Sequence, residues 1–234
     1  MILHRKRKIN INNLRYNLQE SNMNALELMD VIHDMVKLQQ IYEAAIKEIS
    51  TKLDILDDEF NIKHDHNPIH HMESRIKQAP SITKKLQKKG LKFSIENSIE
   101  NLNDIAGVRV ICYYLEDIYK IAELLTRQDD IVLLEEKDYI KEPKPSGYRS
   151  LHLVVKVPVF LAEETKEVPV EVQIRTIGMD FWSSLEHKLK YKNQDLVDEQ
   201  LRQDLTDCAG TIADIDKKME SIYKSIRFYK DEEA

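Results

Sequence analysis

Glycine and proline, the residues that most readily interrupt helices, are confined to the middle of this sequence. In a chain of 234 residues the first of either is Pro68 and the last is Gly210. The two ends can therefore form long uninterrupted helices, whereas the middle must carry the turns of a more compact unit. We expect an N-terminal helical extension over residues 1–62, a central domain over 63–193 and a C-terminal helical extension over 194–234.

The spacing of apolar residues also predicts helices at both ends. Between 23 and 60 they recur at steps of three and four, which indicates one or two helices. From 201 to 226 the steps alternate between four and three, as in a coiled-coil heptad. This heptad seam consists of Leu201, Leu205, Cys208, Ile212, Ile215, Met219, Ile222 and Ile226. We favour packing of the seam on the N-terminal helices of the same chain, with a subunit interface as the alternative.

The middle of the chain combines strand and helix patterns. Segments rich in β-branched residues predict strands at 108–114, 131–135, 151–157 and 168–175. Helices are predicted at 81–89, 117–127 and 178–192. We therefore expect an α+β fold: a mixed sheet of about five strands flanked by helices, with long helices at both ends.

The composition is that of a cytoplasmic protein. Apolar residues make up 42% and charged residues 32%, and the net charge of −6 argues against general nucleic-acid binding. Cys112 and Cys208 lie far apart and lack a CxxC spacing, which argues against a disulfide framework or a zinc ribbon. The basic N-terminus is not followed by the apolar stretch of a secretory signal. We also expect no membrane helix, since no segment approaches the roughly 20 apolar residues that one needs.

A run of positive charge stands out against this acidic background. From Ser74 to Ile95 there is no acid but there are seven cations: Arg75, Lys77, Lys84, Lys85, Lys88, Lys89 and Lys92. A guanidinium, an ammonium and the hydroxyl of Ser81 can converge on a polyphosphate. A solvated helix face is the alternative. No GxxxxGK[ST] loop is present, so cationic side chains and a metal would have to hold any nucleotide phosphates.

Two carboxylates lie beside or within predicted strands, and the first of them is a candidate metal ligand. Asp104 precedes a buried strand in which Gly107 allows close backbone approach. It can brace a turn or act as a hard oxygen ligand for Mg²⁺. In the strand at 168–175, alternation places Glu171, Gln173 and Arg175 on the face opposite the buried apolar residues. A solvated amphipathic strand would show the same pattern.

The segment before the third predicted strand adds an aromatic ring and further donors. Tyr148 can stack on a base, and Arg149 and His152 are additional hydrogen-bonding groups. Taken singly, each of these residues is more often structural. Together, two carboxylates, a cation cluster and a stacking ring are what metal-assisted transfer between two nucleotides requires.

Five motifs in this order resemble the synthetase domain of the RelA/SpoT alarmone enzymes. They are Arg75-x-Lys77, Asp104-Ile-Ala-Gly-Val-Arg109, Gly147-Tyr148-Arg149-Ser150-x-His152, Glu171-Val-Gln173-Ile-Arg175-Thr176 and Phe181-Trp182-x-x-x-Glu186-His187. The resemblance covers roughly residues 64–192, and the short chain is most similar to small alarmone synthetases of the RelP type. It implies a nucleotidyltransferase-like domain that transfers pyrophosphate from ATP to the 3′-hydroxyl of GDP or GTP. It also implies a role in the stringent response and a homotetramer assembled through the terminal helices.

The resemblance implies a role for each candidate residue. Those implied to bind Mg²⁺ and carry the catalysis are Asp104 and Glu171, with Glu171 as metal ligand, general base or both. Those implied to hold ATP are Arg75, Lys77, Ser81, Lys85, Lys88 and Arg109, with the two arginines on either side of the adenine. Those implied to hold GDP or GTP are Lys144, Tyr148, His152, Gln173 and Arg175, with the tyrosine stacked on the guanine. Those implied to support the site are Arg149 and Glu186.

Two positions depart from the pattern of the RelA/SpoT relatives. Asp180 stands where RelQ-type members have an amide, so a carboxylate would read a guanine edge differently there. Leu151 replaces a frequent aromatic residue, which is a mild change if the position is used for packing.

Other functions are open on sequence alone. The histidine cluster at 64–71 invites a metal-site interpretation, but we expect structural or surface roles for it and no hydrolase activity. A different nucleotidyl- or phosphoryltransferase would need the carboxylates without needing Tyr148. A non-catalytic protein could bind RNA or a nucleotide through the basic run, although Asp104 and Glu171 argue against RNA because they repel phosphates.

Overall fold

The computed structural model describes residues 2–4, 25–192 and 199–233 of the chain. Its strands are β1 (Ile2–His4), β2 (Ile69–Ile76), β3 (Ala106–Cys112), β4 (Val132–Asp138), β5 (Leu151–Phe160) and β6 (Thr165–Thr176). Its helices are α1 (Ala25–Lys63), α2 (Ala79–Lys88), α3 (Ile95–Asn101), α4 (Leu115–Thr126), α5 (Ile177–Lys192) and α6 (Glu199–Glu233).

The six strands form one mixed sheet in the order β1-β2-β3-β6-β5-β4. The β1–β2 and β3–β6 pairs are parallel, and the other three pairs are antiparallel. In β6 the alternating residues Val168, Val170, Val172 and Ile174 are fully buried, as the sequence pattern predicts. Helices α1 and α4 cover this apolar face, which leaves the opposite face of the central strands for polar side chains.

Helix α1 stabilises the domain through an apolar stripe that faces the sheet. Leu53 on this stripe is fully buried, whereas Ile55, two residues along, is 60% exposed. We expect Leu53→Ala to lower the free energy of unfolding by about 2–5 kcal/mol, since it removes buried methyl groups and leaves a cavity. Ile55→Ala should change it by no more than about 0.5 kcal/mol. Urea denaturation followed by circular dichroism measures both, and similar losses for the two variants would contradict this view of the core.

The predicted α+β fold, with its mixed sheet and long terminal helices, is confirmed. Strand β2 was not predicted, because a register shift between Ile69 and His71 interrupts the alternation that identifies strands. Because of this bulge, the two buried residues of β2 are Ile69 and Met72, which are three positions apart as in a helix. The short elements β1 and α3 were not predicted either, and β1 falls within the segment expected to be helical.

Helix α6 does not bury its heptad seam in the described part of the chain. It packs on α5 and α4 instead, with Ala209 and Ala213 buried on its inner face. Six seam residues are exposed: Leu201, Cys208, Ile215, Met219, Ile222 and Ile226. The expected packing of the seam on the N-terminal helices is therefore wrong for the described residues, because α6 contacts α5 and α4 through a face that includes only Leu205 and Ile212 of the seam, both half-buried.

The three-part division of the chain stays a prediction. Helix α1 ends at Lys63, beside the expected boundary at 62/63, while the boundary at 193/194 lies outside the described residues. Within the described ranges, no helix combines the length and apolarity that a bilayer crossing demands.

Candidate functional site

The sheet face opposite the core carries two rows of residues that run across neighbouring strands. The first row, in register order, is Arg75, Gly107 and Glu171. The second row is Glu73, Arg109, Gln173 and His152. Directly opposed side chains on paired strands lie about 5 Å apart, so the pairing brings together candidates that are far apart in sequence.

Arg75 lies close to Gly107 on the neighbouring strand. A Cβ atom on Gly107 would lie 3.6 Å from the Arg75 Cγ and Nε atoms and 3.8 Å from the Glu171 carbonyl oxygen. These are ordinary van der Waals distances, so the Arg75 side chain packs against Gly107 and extends from β2 over β3. Its positive charge is one of the influences that lower the pKa of Glu171.

Glu171 is half-buried and is held by two donors. His152 Nδ1 lies 3.1 Å from Oε1, and Gln173 Nε2 donates to Oε2 at 2.9 Å. Burial alone would raise the pKa of this carboxyl. The hydrogen bonds and charges from His152, Gln173 and Arg75 outweigh burial and bring the pKa below its ordinary value, so Glu171 is ionised at neutral pH.

A closed ring of hydrogen bonds orients the Glu171 carboxylate. Arg175 donates to the Tyr148 hydroxyl at 2.5 Å and to Gln173 Oε1 at 2.8 Å. The Tyr148 hydroxyl lies 2.7 Å from His152 Nε2. If His152 donates from Nδ1 to Glu171, its Nε2 accepts the tyrosine proton, and every donor then meets an acceptor. Both carboxylate oxygens are therefore tied, by separate routes, to the same guanidinium.

Arg175 is the hub of this ring rather than an open ligand. It is 3% exposed, and all five of its N–H donors have partners within the protein. The partners are Ser150, Asp180, Ser183, Tyr148 and Gln173. The predicted direct contact between Arg175 and the second nucleotide would require one of these bonds to break. In this geometry Arg175 orients two other candidate residues, Tyr148 and Gln173, through hydrogen bonds.

Tyr148 lies in the loop between β4 and β5, among aromatic and cationic groups. Lys144 Nζ lies 4.8 Å from the centroid of the Tyr148 ring, and Arg175 Cζ lies 5.1 Å from it. Tyr139 meets the rings of Tyr148 and His152 edge to face, at 6.0 and 5.2 Å. Arg149 braces the same loop by donating to the Ile140 carbonyl oxygen at 3.1 Å. The predicted guanosine-side residues are thus in mutual contact.

Asp104 lies in the turn between α3 and β3 and gathers cations from two other elements. Lys77 donates to Oδ2 at 2.5 Å, and Lys85 forms an ion pair with Oδ1 at 2.8 Å. Burial would raise the pKa of Asp104, but the contacts with the two lysines outweigh it and lower the pKa. The structure therefore brings two lysines of the basic run, Lys77 and Lys85, to one ionised carboxylate.

The Asp104 carboxylate is also suited to Mg²⁺. Its carboxylate oxygens are hard ligands, and Oδ1 is buried beside Lys85 Nζ at 2.8 Å. Among the described residues, no three or more acidic, histidine or cysteine side chains are grouped as a metal site. A magnesium ion here would therefore need one or two carboxylates completed by nucleotide phosphates, which is how Mg²⁺ commonly binds.

Asp180 connects the two halves of the site. Its Oδ1 lies 3.2 Å from Arg109 NH1 and accepts from Arg175 NH1 at 3.3 Å. Arg109 also lies 3.7 Å from Glu73. The sequence singled out Asp180 only as a departure from relatives, and its bridging position could not be predicted because both arginines come from other elements.

The remaining predicted residues lie further from this centre. Ser81 and Lys88 are exposed on α2, beside the partly exposed Lys85. Glu186 is half-buried on α5, one turn beyond Ser183, which bonds Arg175. Sequence reasoning missed Ser183 and Tyr139. Ser183 had a usable signal in its position three residues after Asp180 on one helix face, whereas no sequence pattern pointed to Tyr139.

The histidine cluster makes structural contacts. His66 Nε2 lies 2.9 Å from both carboxylate oxygens of Asp117, and Asp117 accepts from the Tyr114 backbone N–H at the start of α4. His70 and His71 lie side by side, with 2.7 Å between their Nδ1 atoms. His66 thus ties the segment before β2 to the first turn of α4.

Fold and site together define a small α+β nucleotide-binding domain with separate cationic and aromatic halves. Residues 74–196, more than half of the chain, match the model of the region found in RelA and SpoT proteins. The chain belongs to the RelA/SpoT family.

The relatives that match over nearly their whole length include a GTP pyrophosphokinase and small alarmone synthetases. The chain is 42% identical over 200 residues to the GTP pyrophosphokinase YwaC of Bacillus subtilis, a match that covers 86% of this chain and 95% of that protein. The crystal structure of small alarmone synthetase 2 from the same organism superposes with a TM-score of 0.75 and 43% identity, covering 82% of this chain and 99% of that one.

Small alarmone synthetase 1 from B. subtilis is a further structural relative. Bound to its product pppGpp, it superposes with a TM-score of 0.72 and 34% identity, covering 80% of this chain and 94% of that one. The structure of the same synthetase bound to AMPCPP superposes with a TM-score of 0.69 and 30% identity, covering 82% of this chain and 97% of that one.

Proposed function

We propose that this chain is a (p)ppGpp synthetase that transfers pyrophosphate from ATP to the 3′-hydroxyl of GDP or GTP. The products are AMP and ppGpp or pppGpp. The observation that carries the proposal is the ionised Glu171 carboxylate, oriented by a closed hydrogen-bond ring between the aromatic half and the cationic half of the site. The names of the GTP pyrophosphokinase and alarmone synthetase relatives support the same reaction.

On the guanosine side, the chain positions a nucleophile and removes its proton. The Tyr148 ring offers a stacking surface for guanine, with Lys144 beside it. Glu171 accepts the proton of the 3′-hydroxyl as the oxygen attacks the β-phosphorus of ATP. A bond forms between the 3′-oxygen and that phosphorus, the bond between the phosphorus and the α–β bridging oxygen breaks, and AMP departs with the bridging oxygen.

On the ATP side, fixed cations stabilise the charge of the transferred group. The residues proposed to do this are Arg75, Lys77, Lys85, Lys88 and Arg109, with Ser81 as a hydroxyl donor. Because most of them are held by ion pairs or by the sheet, little reorganisation is needed when charge develops on the phosphates. Holding two nucleotides in line supplies a further large part of the rate enhancement.

We propose that Asp104 holds Mg²⁺ at the ATP phosphates, with Glu171 as a second ligand, as a base, or as both. When bound, the ion neutralises phosphate charge that would otherwise repel the nucleophile. The lowered pKa of Asp104, which the contacts with Lys77 and Lys85 keep ionised despite burial, supports this assignment.

The reaction is tested by incubating the purified chain with ATP labelled at the γ-phosphate, GDP and Mg²⁺, and separating the products by thin-layer chromatography. A labelled guanosine product carrying a 3′-pyrophosphate, formed together with AMP, is the expected result. No such product at any concentration of GDP, GTP or Mg²⁺ would overturn the enzyme assignment.

Tyr148→Ala distinguishes this synthetase from another transferase built on the same carboxylates. We expect the KM for GDP or GTP to rise, while the KM for ATP stays within about twofold. Loss of base stacking costs about 1–3 kcal/mol, so the rise should lie between about fivefold and 150-fold. Tyr113→Ala, at a partly exposed aromatic outside the site, is the control. Equal changes in both KM values would favour the other class of transferase.

We further propose a homotetramer located in the cytoplasm. The exposed heptad seam of α6 is an apolar surface of the kind that associates with another helix. Both cysteines are free thiols and the proposed substrates are intracellular nucleotides, which supports a cytoplasmic location and a role in the stringent response. Sedimentation equilibrium should give four times the chain mass of 27.5 kDa, and a monomer at micromolar concentration would contradict the tetramer.

A further inference from the structure

Three of the residues next to Tyr148 and Arg175 lie close to helix α6. Gly147 precedes Tyr148 and Arg149 follows it, while Thr176 comes directly after Arg175. Gly147 packs against Ala209 of α6, and Thr176 donates a hydrogen bond to Asp216 of α6. The charge of Arg149 acts on the same Asp216. Tyr148 and Arg175, two members of the hydrogen-bond ring, therefore both have neighbours that contact α6.

Gly147 brings the loop between β4 and β5 into close contact with α6. Its φ of +84° lies in the left-handed region, and a Cβ atom there would sit 2.6 Å from the Ala209 Cβ. The loop is also closed on itself, because Lys144 donates its backbone N–H to the Tyr148 carbonyl at 3.2 Å and accepts from Gly147 at 2.8 Å. The position of Tyr148 is thus set by how closely the loop approaches Ala209.

Asp216 on α6 contacts Thr176, the residue that follows Arg175. Its Oδ2 accepts from the Thr176 hydroxyl at 2.7 Å, and Thr176 Oγ1 in turn accepts from the Met179 backbone N–H at 3.1 Å. Thr176 is fully buried at the junction of β6 and α5. Burial raises the pKa of Asp216, while Thr176 and the charge of Arg149 act in the opposite direction. Asp216 therefore interacts with the neighbours of both Arg175 and Tyr148.

Helix α5, which carries two partners of Arg175, is anchored to α6 as well. Trp182 donates its indole N–H to the Leu205 carbonyl oxygen at 2.9 Å. Gly178 at the start of α5 has no room for a side chain, since a Cβ atom would lie 2.9 Å from both Ile212 and Asp216. Asp180 and Ser183 thus reach Arg175 from a helix seated on α6.

We propose that the inner face of α6, formed by Ala209, Ile212 and Asp216, chiefly positions the guanosine-nucleotide half of the site and acts on the ATP half only through the Asp180–Arg109 ion pair. Asp216 acts as a positioning residue through Thr176 and Arg149. The proposal rests on the assignment of Tyr148 to the guanosine nucleotide. The asymmetry follows from the packing: α6 contacts chiefly α5 and α4, whereas the proposed ATP-binding residues stand on β2, α2 and β3 or directly beside them.

The first test compares Asp216→Ala with Asp216→Asn in steady-state kinetics. Asp216→Ala removes the acceptor of the Thr176 hydroxyl, and the KM for GDP should rise about tenfold with the KM for ATP within about twofold. Asp216→Asn keeps a carbonyl oxygen in the same place, so its KM for GDP should remain within about threefold of the wild-type value. Asp214→Ala, at a carboxylate that is 80% exposed on the same helix, is the matched control.

A second test perturbs the loop contact without touching a charge. Ala209→Val adds methyl groups against Gly147 and should raise the KM for GDP selectively. Gly210→Ala adds a methyl group where no atom lies within 4 Å, so both KM values should stay unchanged. Thermal melting of each variant identifies any that do not fold. If Asp216→Ala does not fold, the comparison of Ala209→Val with Gly210→Ala tests the positioning role.

The outcomes separate this proposal from the function on which it rests. An active wild type whose inner-face variants change both KM values equally, or change neither, would overturn the positioning role and leave the synthetase assignment intact. A wild type that makes no guanosine product would overturn the assigned function, and the positioning role with it.

Discussion

Replacing Glu171 with glutamine is expected to reduce kcat/KM by about 10²–10⁴, the usual contribution of a positioned general base. An amide cannot accept the proton of the 3′-hydroxyl. It also cannot accept hydrogen bonds at both of its positions, so one of the bonds from His152 and Gln173 would be lost. If Glu171 also holds Mg²⁺, the same substitution weakens that contact, so the loss should lie towards the upper end of the range.

The matched control is Glu167→Gln, the same chemical change at an exposed position of the same strand. Its kcat/KM and melting temperature should match those of the wild type. Product formation from labelled ATP gives the rate, and circular dichroism verifies the fold. If Glu171→Gln keeps more than about a tenth of the wild-type kcat/KM, the carboxylate is neither the base nor an essential ligand.

Asp104→Asn is expected to lower activity by on the order of 10²-fold or more, since even residues that only support metal ligands contribute about 10–100-fold. The amide retains the shape of the side chain but loses the charge that attracts a cation and pairs with Lys77 and Lys85. Because the proposed defect is weaker Mg²⁺ binding, raising the Mg²⁺ concentration should restore part of the activity.

This rescue separates a metal ligand from a residue that merely braces a turn. A structural role predicts a lower melting temperature and an activity that does not respond to Mg²⁺. Glu100→Gln, on the exposed surface of α3, is the control and should behave as the wild type. A Mg²⁺ titration that gives parallel curves for Asp104→Asn and the wild type would contradict the assignment.

The elements that the sequence predicted well are those with strong local periodicity. The alternation in β6 correctly placed Glu171 and Gln173 on the face opposite the core, because each residue of a regular strand faces the side opposite to its neighbours. Helices α4 and α5 were found within a few residues of their ends for the same reason. Strand β2 was missed where the bulge between Ile69 and His71 breaks the periodicity.

The candidate residues were predicted from motifs and from the basic run, but neither shows how these residues contact one another. Arg175 was expected to touch a nucleotide, and the structure instead gives all its donors to protein partners. Those partners lie on β6 itself, on α5 and in the loop before β5, so the alternation of one strand could not reveal the whole set. Asp216 lacked any motif signal, because its partner Thr176 lies 40 residues earlier in the sequence.

By itself, the sequence determined the α+β class, the long terminal helices, the polar face of β6 and the chemical kinds of group at the site. These follow from periodicity, turn residues and side-chain chemistry, which act over a few neighbouring residues. Only the tertiary structure decided which face of α6 is buried, how Asp104 gathers its lysines, and why Arg175 serves as a hub. Those features depend on strand order, register and helix packing, which are set by the simultaneous burial of apolar surface and satisfaction of polar groups across the whole domain.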